Sequence, residues 1–131
     1  MRRYVMLTSW LLLMVFPVAL LRRLPPVRPF MDMLIGAEVM HWIAHGILFA
    51  GLVILLAHAF HIPLNPKTAA VLLLAVLIVA AAQEGFQLIA TKHRPPGWPE
   101  LFDIGVDLIG AFIGLMLLYL KRGTRLADRI G

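Results

Sequence analysis

The sequence predicts an all-α fold, an integral membrane four-helix bundle that forms a single domain over residues 1–131. Of the 131 residues, 61% are hydrophobic and 15% are charged, against about 25% charged in an average globular protein. Four helices that each cross a bilayer need about 20 apolar residues apiece, and the hydrophobic residues suffice for four. Four apolar runs separated by polar connections give the same number. This composition excludes a sizeable soluble domain beside the helices.

The first predicted helix spans residues 4–21 and the second spans residues 34–60. The first run is flanked by arginine pairs, and we expect it to be retained because no small-residue cleavage site of a signal peptide follows it. Pro25, Pro26 and Pro29 lack an N–H donor, so the segment between the two runs cannot continue a helix. The second run is long enough to cross a membrane with some tilt.

The third predicted helix spans residues 68–90 and the fourth spans residues 101–120. Residues 61–66 contain two prolines and an asparagine, which is a turn signal between the second and third helices. Residues 91–100 form a polar, proline-rich third connection that contains Arg94. The residues after the fourth helix form a basic tail.

The basic residues indicate an orientation and a class of partner. The net charge is +5, and four spans would place both termini on one side. Seven Lys and Arg residues then fall on the terminal face and five on the other, which favours cytoplasmic termini by the positive-inside rule. Basic residues in short connections attract anionic lipid headgroups, so membrane lipid is an expected partner and nucleic acid is not. The absence of cysteine excludes disulfides and thiolate metal sites, and we expect no cofactor.

Ionisable residues inside the apolar runs mark the candidate site, because each costs about 2.5–3.5 kcal/mol near the bilayer centre. Glu38, His41 and His45 are spaced i, i+3, i+7 on the second helix and share one face. Glu84 and Gln87 are three residues apart near the end of the third helix. Each group therefore needs partners on other helices or in a wet cavity.

The fourth helix carries Asp103, Asp107, Gly110 and Gly114 at i, i+4, i+7, i+11, again on one face. The two glycines form a G-x-x-x-G step, which lets another helix approach closely and turns the acids inward. In a four-span bundle the first and third connections lie on one side. All these polar groups then fall in the same half of the membrane, near Arg94. The spacing predicts a polar pocket that opens to the non-cytoplasmic side.

The two histidines and Arg94 each have two interpretations. His41 and His45, four residues apart, fit either zinc ligands completed by one of the carboxylates or ordinary interhelical hydrogen bonds. Arg94 fits either a structural pair with an aspartate or a site for an anion such as a phosphate.

These residues resemble the VanZ-like family of small polytopic membrane proteins over residues 34–120. The family pattern is Glu-x-x-Gln, then Arg, then Asp-x-x-x-Asn-x-x-Gly-x-x-x-Gly, and six positions match it: Glu84, Gln87, Arg94, Asp103, Gly110 and Gly114. Asp107 stands where the family usually has Asn, and His45 alone matches the family's Asp-Lys-x-x-His. The resemblance implies a helical bundle in the bacterial inner membrane, with the motif residues near one membrane face. The family's named member is associated with resistance to glycopeptide antibiotics.

Three functions are compatible with these features. The first is an envelope protein that binds an anionic lipid-linked or cell-wall ligand through Glu38, His45, Glu84, Gln87, Arg94, Asp103 and Asp107. The second is an accessory subunit of a larger membrane protein complex, with no activity of its own. The third is a metal-dependent intramembrane enzyme that uses His41 and His45. We expect the first, and we expect no enzymatic activity.

Overall fold

The computed structural model describes residues 1–15, 24–30, 38–89 and 95–127 of the chain. Its elements are four long helices, which we number α1 (Arg2–Val15), α2 (Glu38–Ala59), α3 (Pro66–Gln87) and α4 (Trp98–Ala127). Strands are absent from the described residues, so the prediction of an all-α fold is confirmed for them.

Three of these helices are long and apolar enough to cross a membrane. Residues 38–59, 66–87 and 98–123 each contain a window of mean hydropathy 2.1. A helix of 22 residues extends about 33 Å, close to the roughly 30 Å of a bilayer's hydrocarbon core. The described part of α1 has 14 residues, and positions 16–21 of the predicted first helix lie outside the described residues. These three helices indicate that the chain is a membrane protein.

The start of α3 is fixed by a capping box. The backbone N–H of Thr68 donates to Oδ1 of Asn65 at 3.0 Å, and the N–H of Asn65 donates to Oγ1 of Thr68 at 3.1 Å. Pro66 occupies the first turn, where its missing N–H removes no intrahelical hydrogen bond. These residues start α3 two positions before the predicted residue 68, because the turn signal is itself the helix cap.

The fourth helix is longer than predicted at both ends. It begins at Trp98, three residues before the predicted start, and the side chain of Glu100 accepts from the backbone N–H of Gly97 at 2.9 Å. It ends at Ala127, seven residues after the predicted end at residue 120. Lys and Arg are good helix formers and are favourable at a helix C-terminus, so the first residues of the predicted tail continue the helix.

The directions of the helices follow from their paired contacts. Arg3 contacts the ring nitrogens of His61, at 2.8 and 2.7 Å, and Nε1–H of Trp10 donates to the carbonyl of Leu48 at 2.9 Å. Later residues of α1 therefore meet earlier residues of α2, and the two helices are antiparallel. The second helix lies at the centre and packs against all three others, most extensively against α4.

The buried core follows the central helix. Its fully buried members on α2 are Phe49, Leu52 and Val53. The apolar residues that pack on this core from the other helices include Leu7, Met14, Leu72, Val76, Ala80, Ala111 and Leu115.

Large apolar side chains also cover the outer surface of the described helices. Ile47, Val71 and Ile109 are each more than 60% exposed. Exposed apolar surface on this scale is unusual for a soluble monomer and is what lipid chains would cover. The outer surface therefore agrees with a bundle embedded in a membrane.

Candidate functional site

The candidate site is a polar cluster formed by His41, His45, Glu84, Asp103 and Asp107. Its centre is a buried histidine–aspartate pair that joins α2 to α4. Nδ1 of His45 lies 2.8 Å from Oδ1 of Asp107. The Asp107 side chain is completely buried and that of His45 is 7% exposed. Each of these buried polar groups needs a hydrogen-bond partner, because burying either group alone costs free energy.

A second histidine–aspartate pair lies one turn closer to the helix N-termini. Nε2 of His41 is 3.8 Å from Oδ2 of Asp103, close enough for an ion pair when His41 is protonated but too long for a direct hydrogen bond. The side chains are 37% and 13% exposed, so this pair is the more accessible of the two. The imidazole rings of His41 and His45 are in contact, with centroids 4.3 Å apart, and they connect the two pairs.

Small residues on both helices permit this pairing. A Cβ added at Gly110 would lie 2.7 Å from the Cα of Gly46, and one added at Gly114 would lie 2.6 Å from the carbonyl oxygen of Ala50. Neither distance is physically tolerable against backbone, so the two helices approach as closely as glycine allows. The residue numbers rise together on both helices through all four pairings, which makes α2 and α4 parallel.

The third helix closes the cluster from its C-terminal end. Gln83 and Glu84 are buried, and Gln87 is half-buried. The charges of Glu84 on α3 and of Asp103 and Asp107 on α4 all act on the imidazole of His45.

Oδ2 of Asp107, at the centre of the cluster, and Oε1 of Gln83, on α3, are buried oxygens that receive no hydrogen bond from any residue that the structure describes. An orphaned buried acceptor costs free energy unless a donor reaches it. The cluster therefore offers acceptor atoms to hydroxyl or amino groups brought by a ligand or by water.

Aromatic residues adjoin His41 and Asp103 in sequence. The rings of Trp42 and Phe102 are in contact, with centroids 5.0 Å apart. Trp98, the first residue of α4, is 84% exposed, as suits a side chain at the membrane interface.

Two predicted site residues are not part of this contact network as described. Glu38 is the first residue of α2 and its side chain is exposed. The helix face that Glu38 shares with His41 and His45 is therefore buried at His45 but exposed at Glu38. Arg94 lies outside the described residues. Its neighbours in sequence are the end of α3 and the start of α4, which carry Glu84 and Asp103.

The structure pairs each of the two predicted metal ligands with its own aspartate. His41 faces Asp103 and His45 faces Asp107. Within the described residues, no group of three or more His, Asp or Glu side chains is placed to hold a metal ion. The geometry favours interhelical pairing of the histidines over shared ligation.

Sequence reasoning missed two contributors to this site, Gly46 and Ala50, although their four-residue separation repeats the step of the glycines on α4. Small residues at matching spacing on two helices are the pattern that would have identified the pair.

No protein-family model, curated protein or solved structure matches the chain.

Proposed function

We propose that the chain is a four-span, VanZ-like protein of the bacterial inner membrane that binds the anionic headgroup of a lipid-linked or cell-wall ligand. The observation that carries this proposal is the buried pair of His45 and Asp107, whose second carboxylate oxygen receives no donor from the described residues. Buried polar groups inside a membrane are costly, and a functional role accounts for that cost.

The chemistry of the cluster supports a ligand with both hydroxyl and anionic groups. The orphaned oxygens of Asp107 and Gln83 are suited to accept from ligand hydroxyl or amino groups. Several carboxylates would repel an anion, so the anionic part needs a cation nearby. Arg94 supplies that charge in the proposal, since guanidinium binds phosphate and carboxylate through paired hydrogen bonds.

The histidines give the proposed site a direction. His41 and Asp103 lie at the accessible end and are suited to meet the ligand first, whereas His45 and Asp107 form the floor. Phe49 is fully buried below His45, with ring centroids 6.4 Å apart, which ends the polar region. A headgroup would thus enter between the helices only to the depth of Asp107.

The test is retention of a defined lipid by the full chain in mild detergent, measured by native mass spectrometry. The probe is a polyprenyl phosphate, and a polyprenol of the same chain length is its neutral control. We expect the phosphate to be retained and the polyprenol to be lost. Arg94→Ala should abolish retention, whereas Lys67→Ala, which removes a cation from the opposite end of the bundle, should leave it unchanged.

Three results would overturn the proposal. The first is equal retention of the polyprenol, and the second is full retention by the combined Glu84→Gln, Arg94→Ala and Asp103→Asn variant. The third is a stoichiometric protein partner whose yield falls with the same substitutions, which would make the chain an accessory subunit and the cluster its scaffold.

A further inference from the structure

The end of the bundle opposite the polar cluster contains a cleft of about 480 Å³ between the C-terminal ends of α2 and α4. Its walls combine two chemistries. Six apolar residues line it, and the other three lining residues are basic: His58, Lys121 and Arg122. The walls therefore suit an amphiphile that carries negative charge.

We propose that this cleft binds one anionic phospholipid, with the phosphate held by Lys121 and Arg122 and an acyl chain along the apolar wall. This site is separate from the proposed headgroup site, since it lies at the other end of the same helices.

The described side chains at this end carry a surplus of positive charge. The described cations here are Arg2, Arg3, Lys67, Lys121 and Arg122. The acidic residues that the structure describes belong to the first turn of α2, to the end of α3 and to the start of α4, all at the other end. A surplus of cations at a membrane surface attracts anionic lipid, and Lys121 and Arg122 place two of these cations beside the apolar wall of the cleft.

The depth of the cleft matches a lipid phosphate. Leu118 and Ile54 lie within the apolar spans, and Lys121 and Arg122 follow Leu118 by one turn on α4. This order places the cations where hydrocarbon gives way to headgroups. An acyl chain would contact Leu118 and Ile54 while its phosphate remains at the level of the basic side chains.

The position of Arg122 is fixed by the chain itself. Its NH1 donates to the carbonyl oxygen of Leu64 at 3.0 Å, and this contact ties α4 to the turn between α2 and α3. One such bond uses one of the five N–H donors of a guanidinium. A guanidinium held in this way gives a phosphate a defined partner.

The experiment uses the full chain in nanodiscs that contain phosphatidylcholine and phosphatidylglycerol in equal amounts. Native mass spectrometry after gentle extraction counts the lipids that remain bound. We expect one phosphatidylglycerol per chain to be retained in preference to phosphatidylcholine. The double variant Lys121→Gln/Arg122→Gln should reduce that occupancy roughly tenfold or more, because two charges near the lipid are lost.

Lys67→Gln is the matched control, since it removes a cation from the same end but outside the cleft. If Lys67→Gln lowers phosphatidylglycerol occupancy as much as Lys121→Gln alone does, the effect is one of diffuse charge and the proposal is overturned. Equal retention of phosphatidylcholine by the wild-type chain would also overturn it, and this arm needs no variant to fold. His58→Gln is a milder second variant that should lower occupancy less.

The two lipid proposals fail independently. Arg94→Ala should leave phosphatidylglycerol occupancy unchanged, and the Lys121/Arg122 double variant should leave polyprenyl phosphate retention at the polar cluster unchanged. A variant that keeps its helical fold but loses both lipids would show one shared site, and that result contradicts the separate cleft.

Discussion

At the scale of single residues, Asp107 is the most constrained side chain in the polar cluster. It is completely buried, it faces His45, and its second oxygen receives no donor from the described residues. An asparagine at this position would retain one carbonyl oxygen as an acceptor for the imidazole. The residue-level question is thus whether His45 needs an acceptor or needs a charge.

We expect Asp107→Ala to be strongly destabilising and Asp107→Asn to be much milder. Alanine leaves a buried histidine without its partner, and loss of one member of a buried pair costs about 3–5 kcal/mol. Asparagine keeps the hydrogen bond and loses only the charge. Unfolding of the purified chain in mixed micelles, followed by circular dichroism, measures both changes against wild type.

The matched variant for this measurement is Asp103→Ala, since Asp103 is partly exposed and lies 3.8 Å from its histidine. That change should cost clearly less than Asp107→Ala. Equal destabilisation by both alanines would show that depth does not distinguish the two pairs, contrary to the geometry.

At the scale of helices, the parallel packing of α2 and α4 determines the site. Gly110 and Gly114 allow backbone contact with Gly46 and Ala50. This close approach sets the register that brings each histidine to its aspartate. Sequence spacing indicates that the glycines and acids share a face, but it does not say which helix that face meets.

We expect Gly110→Ala to destabilise the bundle by about 1–3 kcal/mol, the usual cost of overpacking. The added methyl would meet the backbone of Gly46, which cannot rotate away. Gly105→Ala on the same helix is the control, because nothing lies within 4 Å of a Cβ at that position. Alanine there should be neutral or stabilising, since it favours helix over glycine by about 1 kcal/mol.

Thermal unfolding of the two variants under identical detergent conditions makes the comparison. Retained stability in Gly110→Ala would mean that the helices are farther apart than described. A loss of lipid retention in Gly110→Ala without a loss of stability would instead show that register alone matters for binding.

At the scale of the whole molecule, the charges are separated along the membrane normal. The buried acids lie at one end and a surplus of Lys and Arg lies at the other. Under the proposed four-span topology, the positive-inside rule would place the end with more Lys and Arg residues in the cytoplasm. The same arrangement of charges separates the two proposed lipid sites by the length of the spans.

The orientation is testable because the natural chain has no cysteine. Single-cysteine variants Lys67→Cys and Trp98→Cys place one thiol at each end, and both positions are exposed. We expect a membrane-impermeant maleimide to label Trp98→Cys in intact cells and Lys67→Cys only after the membrane is opened. Arg2→Cys should behave like Lys67→Cys if α1 begins a fourth span.

Labelling of positions 67 and 98 from the same side would contradict the membrane-spanning assignment of α3. Labelling of positions 2 and 67 from opposite sides would contradict the four-span topology while leaving the three described spans intact. The reverse labelling pattern at all three positions would show that the chain has the opposite orientation in the membrane.

The sequence alone determined the helical class, the membrane setting and the residues from which a site could be built. These properties follow from local causes: the length of apolar runs, the lack of an N–H donor in proline, and the high cost of a charge in hydrocarbon. The capping of α3 by Asn65 and the extra turns of α4 are also local, but the polar composition of these segments resembles that of loops.

Only the tertiary structure decided the pairing of His45 with Asp107 and of His41 with Asp103, the outward position of Glu38, and the basic cleft at the far end. Each of these depends on the distance and register between helices that are far apart in sequence. Those quantities are set by backbone contact at Gly110 and Gly114. Side-chain periodicity determines which face a residue occupies, whereas packing determines what that face meets.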